Sequence, residues 1–254
     1  MNNKLFDKNY VVLDGAMGTM LQQKGMELGT VPETLNITKS DWIVDIHKQY
    51  IEAGADVVYA NTFGANRYKM KNTGYTVDEL INAAIANAKE AAKGTDAMVA
   101  LDMGPIGQLL EPTGNLSFEE AYDIFKEEVV AAKDADIIVI ETMTDLLETK
   151  AAVLAAKENS NLPVITTMTF EENKRTFTGC SVSAMCLTLE GLGVDAMGVN
   201  CSLGPKDLIP IVEEISKWTS LPIVVKANAG LPDPVTNTYD VDADEFASIY
   251  REML

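Results

Sequence analysis

The sequence predicts an α/β protein with the fold of a (β/α)8 TIM barrel that lacks its eighth strand. Short apolar runs alternate with longer segments of helical pattern, and the runs show no strict alternation of polar and apolar residues. Such runs are typical of parallel strands that are covered on both faces. About seven βα units follow one another without a linker, which favours one barrel over an open doubly wound sheet. We therefore expect a single domain over residues 1–254, incomplete at its carboxyl end.

Seven segments are predicted as strands because each is short, apolar and rich in β-branched residues. They comprise residues 10–13, 56–60, 97–101, 137–140, 163–168, 196–199 and 223–226. A polar loop and one more helix follow the seventh strand, and no eighth strand is recognisable. We therefore expect the barrel to be open between its first and seventh strands.

Helices are predicted between the strands from apolar residues at helical spacing. In residues 40–53, Ile43, Ile46 and Tyr50 recur at this spacing, and Ser40 is expected to cap the N-terminus. His47 falls on the polar flank of the same helix, so we expect it at the surface. The other predicted helices are residues 76–93, 117–133, 145–158, 181–192, 206–218 and 243–253.

Composition and charge limit the classes of partner. With 47% hydrophobic and 23% charged residues, the chain has the balance of a globular protein with a large core. Its 38 acidic and 20 basic residues give a net charge of -18, which repels phosphate backbones and anionic lipid. No apolar run approaches the roughly 20 residues of a membrane span, and the start lacks the apolar core of a signal peptide. We expect a cytoplasmic protein without nucleic-acid or membrane partners.

The few thiols and the single imidazole restrict the chemistry. The three cysteines, Cys180, Cys186 and Cys201, do not have the spacing of a CxxC metal knuckle, and we expect reduced thiols. Cys180 and Cys186 lie near the start of one predicted helix and out of phase with a single face, which indicates structural roles. With His47 as the one histidine, a histidine cluster or a Ser-His-Asp triad has almost nothing to draw on. Catalysis would have to use carboxylates, amides or thiols.

Acidic, amide and thiol side chains gather where the predicted strands end. Asp14 and Glu141 could each pair with a cation such as a substrate ammonium, or serve as a turn residue and a helix N-terminal acid. Residues 15–19 could present backbone N–H groups to a carboxylate, or form an ordinary glycine-rich turn. Cys201 could be a thiolate ligand at the barrel mouth, or a packed small residue. The residues alone leave these alternatives open.

Five longer blocks occur in order along nearly the whole chain. They are LDGAMGTML (13–21), IHKQYIEAGADVVYANTFGAN (46–66), ETMTDLLETKAA (141–152), VNCSLGP (199–205) and NAGLP (228–232). These blocks resemble the homocysteine S-methyltransferase family. The likeness is greatest to the N-terminal homocysteine-binding module of the cobalamin-dependent methionine synthases.

This resemblance implies a barrel that binds zinc through three cysteines at the carboxyl face of its sheet. One of them follows strand six in a Val-Asn-Cys block, which Cys201 matches. The other two stand together in a Gly-Gly-Cys-Cys block on strand eight, which nothing here matches, so the zinc site is expected to be incomplete. In the family, the zinc-bound thiolate of homocysteine attacks an electrophilic methyl group and methionine is formed. The resemblance implies methylcobalamin on a separate domain as methyl donor and a methyltetrahydrofolate-binding module that recharges it.

The resemblance also implies roles for residues at the strand ends. Asp14 and Glu141 would be the catalytic residues that hold the ammonium of homocysteine, and the backbone of residues 15–19 would hold its carboxylate. Cys201 is the expected metal ligand. The residues expected to line the substrate pocket are Gly15, Ala16, Gly18, Thr19, Asn61, Thr62, Asn200 and Asn228.

Three other functions stay open at this point. A stand-alone relative would take the methyl group from S-methylmethionine. A barrel with the amino-acid pocket but without zinc would be a non-catalytic binding or regulatory subunit. A lyase or aldolase barrel would need a Schiff-base lysine, for which Lys226 on the seventh predicted strand is the candidate.

Overall fold

Six parallel strands form one sheet, and their order in the sheet follows their order in the chain. The computed structural model describes residues 8–201, 203–230, 239 and 241–253. Each neighbouring pair of strands is parallel, so every connection between them is a crossover. The strands are β1 (Val57–Tyr59), β2 (Met98–Met103), β3 (Ile137–Met143), β4 (Val164–Met168), β5 (Ala196–Asn200) and β6 (Ile223–Lys226).

Helices precede the sheet, connect its strands and follow it. Two of them start at reciprocal capping boxes, formed by Thr76 with Glu79 and by Ser117 with Glu120. Ser40 is the first residue of its helix and not the predicted N-cap. No helix in the described part of the chain is long and apolar enough to cross a membrane. The α-helices are α1 (Met17–Gln23), α2 (Leu35–Thr38), α3 (Ser40–Glu52), α4 (Val77–Ala92), α5 (Phe118–Ala131), α6 (Leu146–Asn159), α7 (Val182–Gly191), α8 (Pro205–Ile215) and α9 (Ala243–Met253).

The segment predicted as the first strand, residues 10–13, forms a single parallel bridge and not a full strand. The bridge joins Leu13 to Val57 of β1, and the Asp56 N–H donates to Val12 O at 2.7 Å beside it. Among the described residues this segment pairs with β1 on one side and with no strand on the other. Because one residue pair alone is bridged, this segment is not a strand. The sheet therefore has six strands where the sequence predicts seven.

The sheet confirms the predicted barrel class because it curls until its last strand faces its first. The Lys226 ammonium of β6 lies 3.8 Å from the ring centre of Tyr59 on β1. Within the part of the chain that the structure describes, β6 pairs only with β5. The sheet is therefore a curled and open one, as the sequence predicts.

Strand side chains alternate between the interior of the curled sheet and the helices outside it. The interior cluster is formed by Val57, Tyr59, Ala100, Ile137, Val139, Ile165 and Ala196. Residues between these, such as Val58 and Val99, belong to the larger core beneath the helices. The same two-residue period brings polar side chains inward at the carboxyl ends of the strands, here called the mouth of the sheet. These side chains are Asp102, Glu141, Asn200 and Lys226.

His47 is fully buried, and the prediction that it lies at the surface is wrong. Its helix α3 contacts β1, α1, α2 and α4, so more of the helix is covered than its apolar residues indicate. Neither ring nitrogen has a hydrogen-bond partner among the residues described, and burial lowers the pKa of His47 to about 4. Because this folded-state pKa lies below the ordinary 6.5, protonation at acidic pH opposes folding.

Glu128 on α5 is a second ionisable group enclosed by the fold. It is fully buried, and neither carboxylate oxygen has a hydrogen-bond partner in the described structure. Burial raises the pKa of Glu128 well above its ordinary 4.5; the ammonium of Lys69 opposes this rise, and neighbouring acids such as Glu127 add to it. The fold therefore favours the neutral, protonated form of this side chain.

Replacement of Glu128 by glutamine should stabilise the fold increasingly as the pH rises. Because the folded-state pKa is raised, the linked stability is full below the unfolded value of 4.5 and is lost as the pH rises toward the folded value. Glutamine has no proton to lose, so the Tm of Glu128→Gln should exceed that of the unmodified chain by a margin that widens from about pH 5 to about pH 9. Thermal unfolding followed by circular dichroism measures this margin.

The control is Glu119→Gln, which neutralises an exposed acid of the same helix that is not among the charges acting on Glu128. Its margin should stay nearly constant with pH because an exposed carboxylate is solvated in both states. A constant margin for Glu128→Gln as well would contradict the assignment of a protonated Glu128.

Candidate functional site

Lys226 lies at the centre of a group of acidic and aromatic side chains at the mouth of the sheet. Its ammonium is 3.6 Å from Asp14 Oδ1 and 3.5 Å from Glu141 Oε2. It also lies over the face of Tyr59. The Asp14 side chain is 3% exposed, that of Glu141 13% and that of Lys226 23%. Water screens these charges weakly, so they act strongly on one another.

Asp14 is held by the backbone of β1, directly after the bridged segment. Its Oδ2 accepts a hydrogen bond from the Tyr59 N–H at 2.8 Å, whereas Oδ1 has no hydrogen-bond partner among the described residues. Burial raises the pKa of Asp14 to about 7; Lys226 opposes this rise and Glu141 adds to it. At neutral pH the carboxyl group is therefore balanced between its two forms, and an added cation would favour the charged one.

Asp102, at the carboxyl end of β2, is a third acid at the mouth, and the sequence predicted no role for it. It is buried, and its Oδ1 has no partner in the described part of the chain. Burial, together with the charge of Glu141, raises the pKa of Asp102 well above its ordinary 3.8. The two-residue period of β2, which puts Asp102 on the face of Ala100, is the signal that could have identified it. We refer to Asp14, Asp102 and Glu141 as the acid cage.

The acid cage stabilises the charge of Lys226. Burial acts to lower the pKa of this lysine, but Glu141, Asp14 and Asp102 outweigh burial and raise the pKa above its ordinary 10.5. A protonated lysine has no free electron pair with which to attack a carbonyl carbon. Lys226 is therefore a cation of the site and is not prepared to act as a nucleophile.

Asn200 connects three strand ends through its side-chain amide. Its Oδ1 accepts hydrogen bonds from the Thr142 N–H and the Thr167 hydroxyl, both at 2.8 Å. Its Nδ2 donates to the Thr142 hydroxyl oxygen at 2.8 Å and approaches Cys201 Sγ at 3.6 Å. The Thr142 hydroxyl is in turn 3.7 Å from that sulfur. Asn200 is 1% exposed, and its buried amide finds its hydrogen-bond partners within the protein. It thereby holds Thr142 and Thr167 in position.

Thr142 and Cys201 both have a left-handed backbone conformation, with φ of 61° and 57°. Residues other than glycine rarely adopt it, and the cost is about 1–3 kcal/mol each. Such strain persists only where surrounding contacts fix it, and it is found most often at functional sites. The Asn200 amide supplies these contacts. The positions of the Cys201 thiol and of Glu141, which precedes Thr142, therefore depend on Asn200.

The predicted pocket residues Asn61 and Thr62 follow β1, with polar atoms bonded to the protein itself. Asn61 Nδ2 donates to Pro32 O at 2.8 Å and to Asn36 Oδ1 at 3.1 Å. The Thr62 hydroxyl donates to Asp102 O at 2.8 Å and accepts from the Asp102 N–H at 3.0 Å. Both residues are buried and hold neighbouring backbone segments at the mouth. Their direct contact with a substrate stays a prediction.

The residues predicted to bind a carboxylate lead into α1. The Ala16 carbonyl accepts a hydrogen bond from the Tyr50 hydroxyl at 3.0 Å. A Cβ on Gly15 would come within 2.8 Å of the same hydroxyl oxygen, so this close approach requires glycine. Gly18 and Thr19 are exposed in the first turn of the helix. This backbone adjoins the acid cage, and its role toward a carboxylate stays a prediction.

Asn228 lies just beyond β6, where its backbone N–H donates to Leu203 O at 3.1 Å. This bond brings the loop after β6 beside the loop that begins with Cys201. Leu231 and Pro232 of the NAGLP block lie outside the described residues, as does Ser202 of the VNCSLGP block. The contact of Asn228 with a substrate stays a prediction.

The three cysteines lie apart and do not together form a zinc site. Cys201 is half-buried at the mouth, whereas Cys186 is buried on α7 in the core, where burial raises its pKa to about 11. Cys180 is half-buried before α7, with its sulfur 3.3 Å from Ser181 O. Among the residues that the structure describes, no three His, Cys, Asp or Glu side chains are grouped to hold a metal ion. A catalytic zinc needs three protein ligands, so these residues do not fit a complete site.

Replacement of Asn200 by alanine should destabilise the fold by about 3 kcal/mol, because the buried Thr142 N–H and Thr167 hydroxyl would each lose a partner. Urea unfolding measures the change. Asn159→Ala is the matched control, since Asn159 donates to Tyr122 and Ala155 in the helix layer, away from the mouth. Equal effects of the two changes would show that the Asn200 amide does not hold the strand ends.

The family model of homocysteine S-methyltransferase matches residues 11–254. The methionine synthase of Mycobacterium leprae is 34% identical over 245 residues, which cover 87% of this chain and 20% of that protein. The methionine synthase of Mycobacterium tuberculosis is 33% identical over 251 residues, which cover 90% of this chain and 21% of that protein. The chain spans about a fifth of the length of these curated relatives.

A solved structure with a similar fold is the metallated form of the homocysteine methyltransferase MmuM from Escherichia coli. It has a TM-score of 0.81 and 23% sequence identity, and the match covers 90% of this chain and 87% of that one. This likeness concerns the fold, whereas the family model matches the sequence from the bridged segment to the last helix. The chain belongs to the homocysteine S-methyltransferase family.

Proposed function

We propose that this chain is the homocysteine-binding and activating module of a cobalamin-dependent methionine synthase. The observation that carries the proposal is the acid cage. Asp14 and Asp102 each have an unpartnered buried carboxylate oxygen, and Glu141 is joined through Thr142 to the Cys201 thiol. An amino acid with a thiol side chain needs acids for its ammonium and a separate place for its sulfur. The mouth of the sheet offers both, since the acids and the Cys201 thiol meet at the carboxyl ends of the strands.

The acid cage would bind the ammonium of homocysteine. An ammonium presents three N–H donors, and among the described residues Asp14 Oδ1 and Asp102 Oδ1 are acceptors without a hydrogen-bond donor. Arrival of a positive charge would lower the pKa of Asp14 from its raised value of about 7 and hold this carboxyl group ionised. Asp14 and Glu141 are thus the proposed substrate-contacting acids, and Asp102 adds a third carboxyl group whose pKa burial raises well above its ordinary 3.8.

The carboxylate of homocysteine would meet the backbone of residues 15–19. Ammonium and carboxylate are attached to the same carbon of the substrate, so the groups that bind them must be neighbours. Gly15 follows Asp14 directly, and the glycine at this position leaves the backbone uncovered by a side chain of its own. Asn200 and Asn228 would line the opposite side, on the loops after β5 and β6.

The sulfur of homocysteine would lie on the side of Cys201. Zinc belongs to the proposal as an implied cofactor, and bound zinc would hold the substrate thiol as a thiolate. Cys201 is the one thiol at the mouth, so the other ligands would come from outside the described residues.

The methyl donor would be carried by another part of a longer protein. The two mycobacterial relatives are methionine synthases, and the matched region is about a fifth of each. We propose that a methylcobalamin-binding module delivers the methyl group to this barrel and that a methyltetrahydrofolate-binding module restores methylcobalamin. A cytoplasmic location is part of the same proposal.

A non-catalytic amino-acid-binding barrel is the second candidate, because the described residues place one thiol at the mouth. Such a protein would bind homocysteine without methylating it. A lyase or aldolase is disfavoured, since the raised pKa of Lys226 keeps the Schiff-base candidate protonated. S-methylmethionine stays an alternative methyl donor within the same family.

The deciding experiment measures zinc content, homocysteine binding and methyl transfer side by side. The chain of 254 residues is compared with a form extended through a further strand that carries the Gly-Gly-Cys-Cys block. The proposal expects both forms to bind homocysteine and the extended form to methylate it with methylcobalamin. Methylation with S-methylmethionine alone would favour the other donor, and binding without methylation by either form would favour the non-catalytic barrel.

Exchange of Glu141 for glutamine in the extended form should weaken homocysteine binding roughly ten-fold or more, because the loss of a charge-assisted contact costs about 1.5 to 3 kcal/mol. Zinc content should not change, since Glu141 is assigned to the substrate. Calorimetric titration and metal analysis measure the two quantities. The control is Glu172→Gln, an exposed acid in the loop after β4. Loss of zinc in Glu141→Gln would instead assign Glu141 to the metal.

The chain of 254 residues should bind zinc weakly, because Cys201 supplies one of the three ligands that a catalytic site needs. Cys201→Ala should therefore change its zinc content little, while the same substitution in the extended form should remove both zinc and activity. Cys186→Ala, a change of a core thiol, is the control for the loss of a cysteine. Stoichiometric zinc bound by the shorter form through Cys201 would contradict this prediction.

A further inference from the structure

We propose that Lys226 occupies the ammonium position of the substrate in the free protein, and that homocysteine binds by displacing it. This inference rests on the proposed function, in which the acid cage receives the ammonium of homocysteine. Lys226 would then be a specificity-determining residue, because its ammonium competes with the ammonium of the substrate for the acid cage.

The surroundings of Lys226 are those that a bound ammonium requires. Its Nζ lies 3.6 Å from Asp14, 3.5 Å from Glu141 and 3.8 Å from the centre of the Tyr59 ring. Two carboxylates and an aromatic face are the groups that recognise an ammonium in a weakly solvated site. A substrate ammonium that approaches Asp14 and Glu141 therefore meets a position that is already taken.

The contacts of Lys226 are loose enough to be replaced. Distances of 3.5 and 3.6 Å exceed the 2.7–2.9 Å that is typical of charge-assisted N–H···O bonds. Asp14 Oδ1 and Asp102 Oδ1 accordingly have no hydrogen-bond partner among the residues described. The lysine supplies charge to the cage but leaves acceptors unused, and a free amino acid can turn its three N–H donors toward them.

The side chain of Lys226 can leave the acid cage while its backbone stays in place. Its backbone is fixed at the end of β6, where the Lys226 carbonyl accepts the Cys201 N–H at 3.1 Å. Its side chain is 23% exposed, so the ammonium can reach water by rotation of its flexible stem. Two ammonium groups at the same carboxylate oxygens would repel each other strongly where screening is weak. The better hydrogen-bonded cation should therefore remain in the cage.

The test compares the unmodified chain with Lys226→Met and with Lys226→Gln, a polar neutral variant. Two ligands are titrated: L-homocysteine, and 4-mercaptobutyrate, which has the same thiol and carboxylate but no ammonium. Lys206→Met is the control, because Lys206 is exposed and pairs with Glu245 on α9. We expect both Lys226 variants to bind homocysteine roughly ten-fold more tightly and 4-mercaptobutyrate unchanged, and the control to bind both unchanged.

The other outcomes are distinct. Weaker binding of both ligands by the variants would assign Lys226 to the substrate carboxylate and overturn the inference. Unchanged homocysteine binding would show that substrate and lysine occupy the cage together, which also overturns it. If no form of the protein binds homocysteine, the proposed function fails and the inference fails with it.

Methylammonium provides a readout that does not depend on homocysteine. It should raise the Tm of Lys226→Met, or allow this variant to refold if it is unfolded alone, because it restores a cation to the acid cage. The unmodified chain should show a smaller rise, because its lysine must first be displaced from the cage. An absence of any effect of methylammonium on the variant would overturn the assignment of this position as an ammonium site.

Discussion

Three carboxylates and one lysine share a weakly solvated space at the mouth of the sheet, and what the site can bind depends on this balance. The acids come from the segment before α1 and from β2 and β3, and the lysine comes from β6. Burial raises the pKa of Asp14 and of Asp102, and without the acids burial would lower the pKa of the lysine. The ionisation of the acids and the lysine is thus coupled. The excess of acceptors over hydrogen-bond donors is the feature on which the proposed binding of an ammonium rests.

The side-chain amide of Asn200 holds the strand ends beside this charge cluster. Asn200 fixes Thr142 and Cys201, whose left-handed conformations would otherwise cost free energy without compensation. Through them it sets where Glu141 and the Cys201 sulfur lie relative to each other. If these residues were flexible, the distance between the Glu141 carboxylate and the Cys201 sulfur would vary. Fixed placement is what a small substrate with an ammonium and a thiol requires.

Two buried residues away from the mouth, His47 and Glu128, make the stability of the fold depend on pH in opposite directions. His47 has a lowered pKa, so its contribution to stability is lost as the pH falls below 6.5. Glu128 has a raised pKa, so its contribution is lost as the pH rises above 4.5. Both groups are buried without a hydrogen-bond partner among the residues described. The scaffold therefore carries two ionisable groups that are best kept neutral, apart from the charged groups at the mouth of the sheet.

The sequence by itself determined the order of the elements, the barrel class and the family. β-Branched runs and helical spacing are local patterns, and blocks such as DGAMG and VNC can be recognised without coordinates. The sequence also showed that Asp14, Glu141 and Cys201 stand at strand ends. It could not show that residues 10–13 form one bridge, because a strand is defined by its partners. It placed His47 at the surface, because helical spacing does not report which other helices cover a flank.

Only the tertiary structure decided which of the strand-end residues act on one another. Positions far apart in the chain, such as Asp14 and Lys226, become neighbours because the sheet curls until its last strand faces its first. The burial of Asp102 and the raised pKa of Asp14 follow from that closure, since both depend on how much water is removed by all the strands together. The sequence specifies the charges and their order, and the curvature of the sheet decides their distances, which is why the place of Lys226 among the acids became visible only in three dimensions.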